Sequence, residues 1–336
     1  MTDVFRMPAN PAAVATPPLL ALIVAAVVIG ALLRSRAAAL VLDHPNQRSL
    51  HATPTPRIGG LGVLAGIAAG YAVSGFIIDV RLLVAIVLLV AISLLDDLRN
   101  LGVVWRMLVH LGSAGLAAAV FVYDAHGWWA AVAVVLAVGW MTNLYNFMDG
   151  SDGLAGTMAA FGFGSYGVAA LLAGDATFAG FNFSIATAAI GFLCFNFPPA
   201  RVFMGDAGSI PLGFLAAVCA LAGWQRQDWP LWFGAAAFSP FIVDATLTLC
   251  RRLLRGAKIW QAHREHYYQR LVQAGWGHTK TLCAEVVLMS LVCAIALTAA
   301  RLDTAAQTSV VAALAVFYVV LIAMLEHKLG PVPNNA

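Results

Sequence analysis

Apolar residues run along the chain in stretches close to the ~20 residues that a bilayer-spanning helix requires, separated by short polar breaks. Such stretches fall at 17–36, 59–78, 82–95, 105–123, 128–145, 155–173, 179–195, 208–224, 231–250, 281–299 and 307–325. The pattern predicts an all-α polytopic integral membrane protein with about 10–11 transmembrane helices. No soluble-domain-sized insertion and no internal repeat interrupts it, so 1–336 reads as one transmembrane domain. The charges near the first stretch, Arg34 and Arg36, follow it instead of preceding it, which predicts a retained first helix over a cleaved signal peptide.

Composition agrees: 61% of residues are hydrophobic and 10% are charged. The balance of 19 Lys+Arg against 16 Asp+Glu is too even to argue for nucleic acid, and its distribution says more. With eleven spans, one side collects every basic residue except Arg6, Arg81, Arg226 and Arg301. The positive-inside rule places that basic side, with its loops at about 37–58, 96–104, 146–154, 196–207 and 251–280, in the cytoplasm. The N-terminus is then periplasmic and the C-terminus cytoplasmic. Cys194, Cys219, Cys250, Cys283 and Cys293 all fall inside spans and read as small apolar core residues.

Carboxylates at membrane depth are costly, so their positions carry information. Asp96 and Asp97 end the third stretch, Asp149 and Asp152 end the fifth, Asp206 lies between the seventh and eighth, and Asp244 lies within the ninth. All fall on or near the predicted cytoplasmic side. Asp79, Asp124, Asp175, Asp228 and Asp303 sit one per loop on the other side and read as solvated charges.

In "NLYNFMDGSDGLAG", Asn143, Asn146 and Asp149 recur every third residue and would share one helical sector roughly 120° wide. Gly150 and Gly153 end that helix and let backbone approach a ligand. Such a cluster can bind a sugar, a base edge or a divalent ion through its oxygens. In "NFPPARVFMGDAGS", Pro198 and Pro199 stop a helix, Arg201 offers a phosphate-binding fork, and Asp206 stands where the next helix starts. A helix N-terminus attracts an anion, and Asp206 can hold a cation against it; the chemistry suggested is a metal-bridged diphosphate. "LLDDLRN" supplies two adjacent acids that repel, one of them suited to cation binding. "DHPNQRSLHATPTPRIGG" adds His51 and Arg57, and "RRLLRGAKIWQAHREHYYQRL" adds a basic, aromatic loop in which His263, Arg264 and His266 suit phosphate or sugar contact.

The ordered set "PTPRIGG", "DD", "NxxNxxDGxDGLAG", "NFPPARVFMGDAGS" and a histidine-containing loop, spanning about Asp43 to Arg270, resembles the polyprenyl-phosphate N-acetylhexosamine-1-phosphate transferases. That family also includes the phospho-N-acetylmuramoyl-pentapeptide transferases. The resemblance implies a bacterial inner-membrane enzyme that transfers a 2-acetamido-sugar 1-phosphate from a UDP-sugar to undecaprenyl phosphate, releasing UMP and using Mg²⁺, with Mn²⁺ as a substitute. It implies Asp206 as principal metal ligand, aided by Asp149. Asn146, Asp149, Asp152, Asn196 and Phe203 would surround the uridine diphosphate, and Asp96 and Asp97 would assist the lipid phosphate. "HREHYYQR" departs from the multi-histidine cluster of many members and resembles the O-antigen branch of lipopolysaccharide synthesis, whose donors include 6-deoxy derivatives of UDP-N-acetylhexosamines. Its partners would be those substrates, membrane lipids and a second copy of the chain, with no nucleic acid.

A secondary transporter working through membrane carboxylates is the rival reading. It needs acids near the bilayer centre and discontinuous, repeated helices, and Asp244 fits it best.

Overall fold

The computed structural model describes residues 11–39, 41–43, 53–99, 101–258, 261 and 263–330. Each of the eleven apolar stretches becomes helical. The helices are α1 (Pro11–Arg34), α2 (Gly59–Ser74), α3 (Val80–Arg99), α4 (Val103–Phe121), α5 (Tyr123–Phe147), α6 (Leu154–Ala173), α7 (Ala176–Asn196), α8 (Asp206–Gln225), α9 (Trp232–Ala237), α10 (Ser239–Leu254), α11 (Tyr267–Leu271), α12 (Gly277–Ala299) and α13 (Thr304–Leu329). A two-residue antiparallel ladder, β1 (Leu42–Asp43) with β2 (Thr55–Pro56), is the exception to an otherwise helical chain among the described residues.

Eight of these helices are long and apolar enough to cross a membrane. The others depart for local reasons. Helix α2 has 16 residues, and α3 carries Arg81, Asp96, Asp97 and Arg99. The ninth stretch breaks at Phe238 into α9 and α10 because Pro240, in the first turn of α10, has no N–H to continue the preceding turn.

Small residues draw α1, α2 and α7 together. Gly62, Gly66 and Gly70 form a stripe at spacing four along α2; a Cβ on Gly66 would stand 2.5 Å from the Ala21 carbonyl oxygen, and one on Gly70 would stand 2.6 Å from the Ser184 Cβ. Close backbone approach of this kind replaces the hydrophobic drive that lipid cannot supply. Helix α8 packs against α2, α3, α5 and α6, and its buried side chains join the chain's two apolar cores. Leu19, Val27, Val87, Leu136, Val316 and Val319 point outward, where a lipid-solvated chain places them. Cysteine usage is corrected here: Cys219 and Cys293 are core residues, but Cys194, Cys250 and Cys283 lie on exposed helix surface.

The starts of α2, α4 and α8 and the ends of α3 and α5 meet at one end of the bundle. There Gly59 and Gly60 donate to the carbonyls of Phe203 and Met204 at 2.9 and 2.8 Å. A Cβ on Gly60 would lie 2.5 Å from both the N and the Cα of Gly208. Gly60→Ala is therefore expected to push the starts of α2 and α8 apart and cost about 1–3 kcal/mol. The readout is the thermal melting of the detergent-solubilised protein; an unchanged midpoint would show that the two helices yield without loss.

Candidate functional site

The centre of this end is a junction between α5 and α8. Asn146 Nδ2 donates to Asp206 Oδ1 at 2.8 Å and to Ser209 Oγ at 2.9 Å, so both amide hydrogens are used across 60 residues of sequence. Asp206 opens α8, and Gly205 before it has φ +74°, a conformation that L side chains rarely adopt. Asp149 follows α5, recessed but partly exposed, with the Gly205 N–H directed at it. Burial, and then the Asp206 carboxylate, push the Asp149 carboxyl well above the usual carboxylate range. Two acids thus crowd a site where a cation would relieve both.

Helices α3 and α4 form the next wall. Adjacent residues on a helix diverge by ~100°, so Asp96 and Asp97 point in different directions. Asp96 is buried and paired with Arg106 Nη1, which also lies 3.7 Å from Asp206 Oδ2. Asp97 is half-buried and within electrostatic reach of Asp206, Arg57 and Arg106. One turn after Arg106, His110 is 2% exposed, with Nδ1 3.1 Å from Asn143 Oδ1. Asn143 also donates to the Gly139 carbonyl at 2.7 Å. Asn143 therefore braces α5 against α4, one turn below Asn146. Neither Arg106 nor His110 was anticipated from sequence; the available signal was two polar residues at spacing four inside an apolar stretch.

Several sequence-selected residues knit the surrounding loops. Asp152 Oδ2 accepts from the Ala200 N–H at 2.9 Å, and its Oδ1 lies 3.8 Å from His278 Nδ1. Asn196 is 4% exposed; its Oδ1 accepts from Gly153 N and its Nδ2 donates to the Val202 carbonyl, both at 2.8 Å. Phe203 donates its N–H to the Pro56 carbonyl at 2.8 Å, linking the α7–α8 loop to the segment before α2. On that segment Arg57 is tied to Asp43 at 2.8 Å, while its charge still reaches Asp97 and Asp149. Arg201 does not join the group: it donates to the Cys194 carbonyl at 3.0 Å and lies over the Phe195 ring. His51 lies outside the described residues.

The basic loop docks on this end through α11. Tyr268 Oη donates to the Phe147 carbonyl at 3.2 Å and fills the space beside Gly150. His266 is buried and its ring stacks on Tyr268. Four of the loop's arginines are engaged in ion pairs that share two carboxylates: Arg252 and Arg255 pair with Glu265, and Arg251 and Arg270 pair with Glu326 near the end of α13, so the loop keeps a net positive charge. Burial, followed by the neighbouring His266, pushes His263 down to about 4, so its imidazole meets a ligand uncharged near neutrality. Arg264 is half-buried, and its carbonyl accepts from Gln273 at 2.9 Å.

Asp244 has a structural task. Its carboxylate is buried and accepts from the N–H groups of Tyr267 and Tyr268 at 2.8 and 3.1 Å, with Thr248 Oγ1 at 3.2 Å and His266 Nδ1 at 3.3 Å. It caps α11, which removes the acid best suited to a transport path. Asp244→Ala is expected to cost roughly 2–4 kcal/mol by orphaning those donors. Limited proteolysis should then cut faster within 255–266; wild-type cutting rates would show that the loop is held by other contacts.

At the opposite end the loop acids are not solitary. Asp175 caps α7 and pairs with Arg226, which lies 3.9 Å from Asp228; Asp79 pairs with Arg81, and Asp303 caps α13. Among the described residues, no three His, Cys, Asp or Glu side chains converge to hold a metal unaided. Magnesium does not require such a cage. It retains waters and takes one or two carboxylates together with substrate phosphates, which suits Asp206 and Asp149.

Comparison with known proteins places this geometry in context. The profile of glycosyl transferase family 4 matches residues 80–224, a span that includes Asp96, Asp97, Arg106, Asn146, Asp149 and Asp206. A probable undecaprenyl-phosphate N-acetylglucosaminyl 1-phosphate transferase of Bacillus subtilis is 30% identical over 261 residues, covering 70% of this chain and 71% of that protein. The undecaprenyl-phosphate alpha-N-acetylglucosaminyl 1-phosphate transferase of Yersinia pestis is 30% identical, covering 70% of each chain. A phospho-N-acetylmuramoyl-pentapeptide-transferase of Shouchella clausii is 26% identical, covering 68% of this chain and 78% of that one.

Proposed function

The chain belongs to the polyprenyl-phosphate N-acetylhexosamine-1-phosphate transferases of glycosyl transferase family 4, and from that premise we propose that it transfers a 2-acetamido-sugar 1-phosphate from a UDP-sugar to undecaprenyl phosphate, releasing UMP. The product would be the first lipid-linked sugar of a surface glycan, with O-antigen as the favoured case. The observation that carries this reading is the Asn146–Asp206 junction, with Asp97, Asp149 and Arg57 around it at one end of a membrane bundle. A soluble nucleotide sugar and a membrane-held phosphate can meet only at such an end, which we place on the cytoplasmic side.

Asp206 and Asp149 would hold Mg²⁺, or Mn²⁺ in its place. The ion would supply neutralisation of the charge that grows on the diphosphate as UMP leaves. The chain's own residues do the positioning. Asn146 fixes the Asp206 carboxylate, leaving Oδ2 towards Arg106 of α4. The Gly205 N–H holds Asp149 at the start of α8, whose N-terminal dipole favours the anionic donor. Asp152 and Asn196 shape the two loops that flank the donor, and the His266–Tyr268 pair closes the side nearest Gly150. The replacement of a multi-histidine cluster by "HREHYYQR" favours 6-deoxy 2-acetamido sugars.

The test is direct. Membranes containing the protein are supplied with Mg²⁺, undecaprenyl phosphate and a panel of UDP-sugars, and UMP release is scored. Release with at least one 2-acetamido sugar is expected; no release with any of them would overturn the reading.

A further inference from the structure

Arg106 touches the site without belonging to the donor motifs. Its Nη1 pairs with Asp96 Oδ2 and lies 3.7 Å from Asp206 Oδ2, while Asp206 Oδ1 is taken by Asn146. The oxygen of Asp206 that Asn146 leaves open is therefore the one facing a guanidinium. The Arg106 side chain is 29% exposed, yet its Nε is buried without a hydrogen-bond partner. A guanidinium has five N–H donors in a rigid fork, and a buried donor left unmade is costly. The guanidinium thus has donor capacity that the protein leaves unspent, and its exposed part is where an acceptor can approach.

A divalent cation and Arg106 contend for the same carboxylate oxygen. Two positive centres a few ångströms apart repel strongly in a recessed site. A diphosphate resolves the conflict, since its oxygens can ligate the cation and accept from the guanidinium together. We infer that Arg106 couples the two ligands: it opposes a divalent cation alone at Asp206 and favours that cation once an anionic nucleotide phosphate has bound. This rests on the donor-site reading above and adds an order of loading to it, in which cation and nucleotide enter tightly only as a pair. Thermodynamic reciprocity requires the same factor in both directions, so the cation must also tighten the nucleotide. Arg106 acts here as a positioning residue, and lysine, a point charge without the fork, is not its equivalent.

The experiment measures binding, not turnover. Full-length protein in detergent is titrated with Mn²⁺, read by electron paramagnetic resonance, with and without saturating UMP. In the wild type, UMP is expected to tighten Mn²⁺ at least tenfold. Arg106→Gln should bind Mn²⁺ alone at least threefold more tightly than wild type, and the gain from UMP should fall below threefold. Arg106→Lys should restore weak binding of Mn²⁺ alone while recovering only part of the UMP gain. Wild-type values for Mn²⁺ alone and for the gain in Arg106→Gln would overturn the coupling and leave the donor site standing. Should that variant fail to fold, a full wild-type gain in Arg106→Lys would overturn it equally. No UMP gain in the wild type would remove the donor-site reading itself, and the coupling with it.

Discussion

Asp206→Asn is expected to abolish sugar-1-phosphate transfer, with kcat falling on the order of 10²–10³-fold or more, while the protein still inserts and melts near the wild-type temperature. A cation that neutralises growing phosphate charge is worth several kcal/mol in the transition state, and each ~1.4 kcal/mol is a factor of ten. Asparagine keeps the shape of the side chain and a carbonyl oxygen for the Asn146 amide, so the α5–α8 junction can persist. What disappears is the negative charge at the start of α8, which a divalent ion requires and which also faces Arg106. UMP release from purified protein, measured across Mg²⁺ concentrations, is the check. Near-normal turnover with an unchanged Mg²⁺ dependence would remove Asp206 from the metal site, whereas a raised Mg²⁺ demand with kcat retained would make Asp149 the principal ligand and Asp206 an auxiliary one.

How far the sequence could reach follows from what kind of signal each feature leaves. Apolar stretches report helices because lipid imposes one rule on every span, and all eleven are helical here. The break at Phe238 was visible only as Pro240, two residues later, in a run that otherwise reads as continuous. Asn146 and Asp206 were legible as separate motifs, since amides and acids beside lipid demand a reason. Their direct bond was not, because it depends on how α5 lies against α8. Arg106 and His110 were hidden by the same logic in reverse: two polar residues in an apolar stretch carry no motif, and only packing shows that they face Asp96, Asp206 and Asn143. The basic loop's charge count did not show which arginines are free, for Glu265 and Glu326, distant in sequence from some of their partners, hold four of them in shared ion pairs. Asp244 looked like a membrane acid looking for a cargo, and its partners are backbone N–H groups 23 and 24 residues away.

The divergence of Asp96 and Asp97 sets up the second large effect. Asp96 is committed to Arg106, whereas Asp97 reaches towards Asp206 and Arg57. Asp97→Asn is therefore expected to lower kcat at least 10²-fold with an unchanged melting temperature, by analogy with the loss of one charge-stabilising group from an active site. Asp96→Asn should behave differently. It strips the counter-charge from a largely recessed guanidinium, so the melting temperature should fall along with a smaller loss in kcat. The pH profile then distinguishes two roles for Asp97. A phosphate monoester has its second pKa near ~6, so the attacking lipid phosphate is largely ionised at neutral pH and needs no obligatory base. If Asp97 acts through its charge, the deficit of Asp97→Asn should stay constant from pH 7 to pH 9. Recovery of the variant as pH rises would show instead that Asp97 removes a proton, and an equal loss from both asparagine variants with both folds intact would dissolve the division of labour between the two acids.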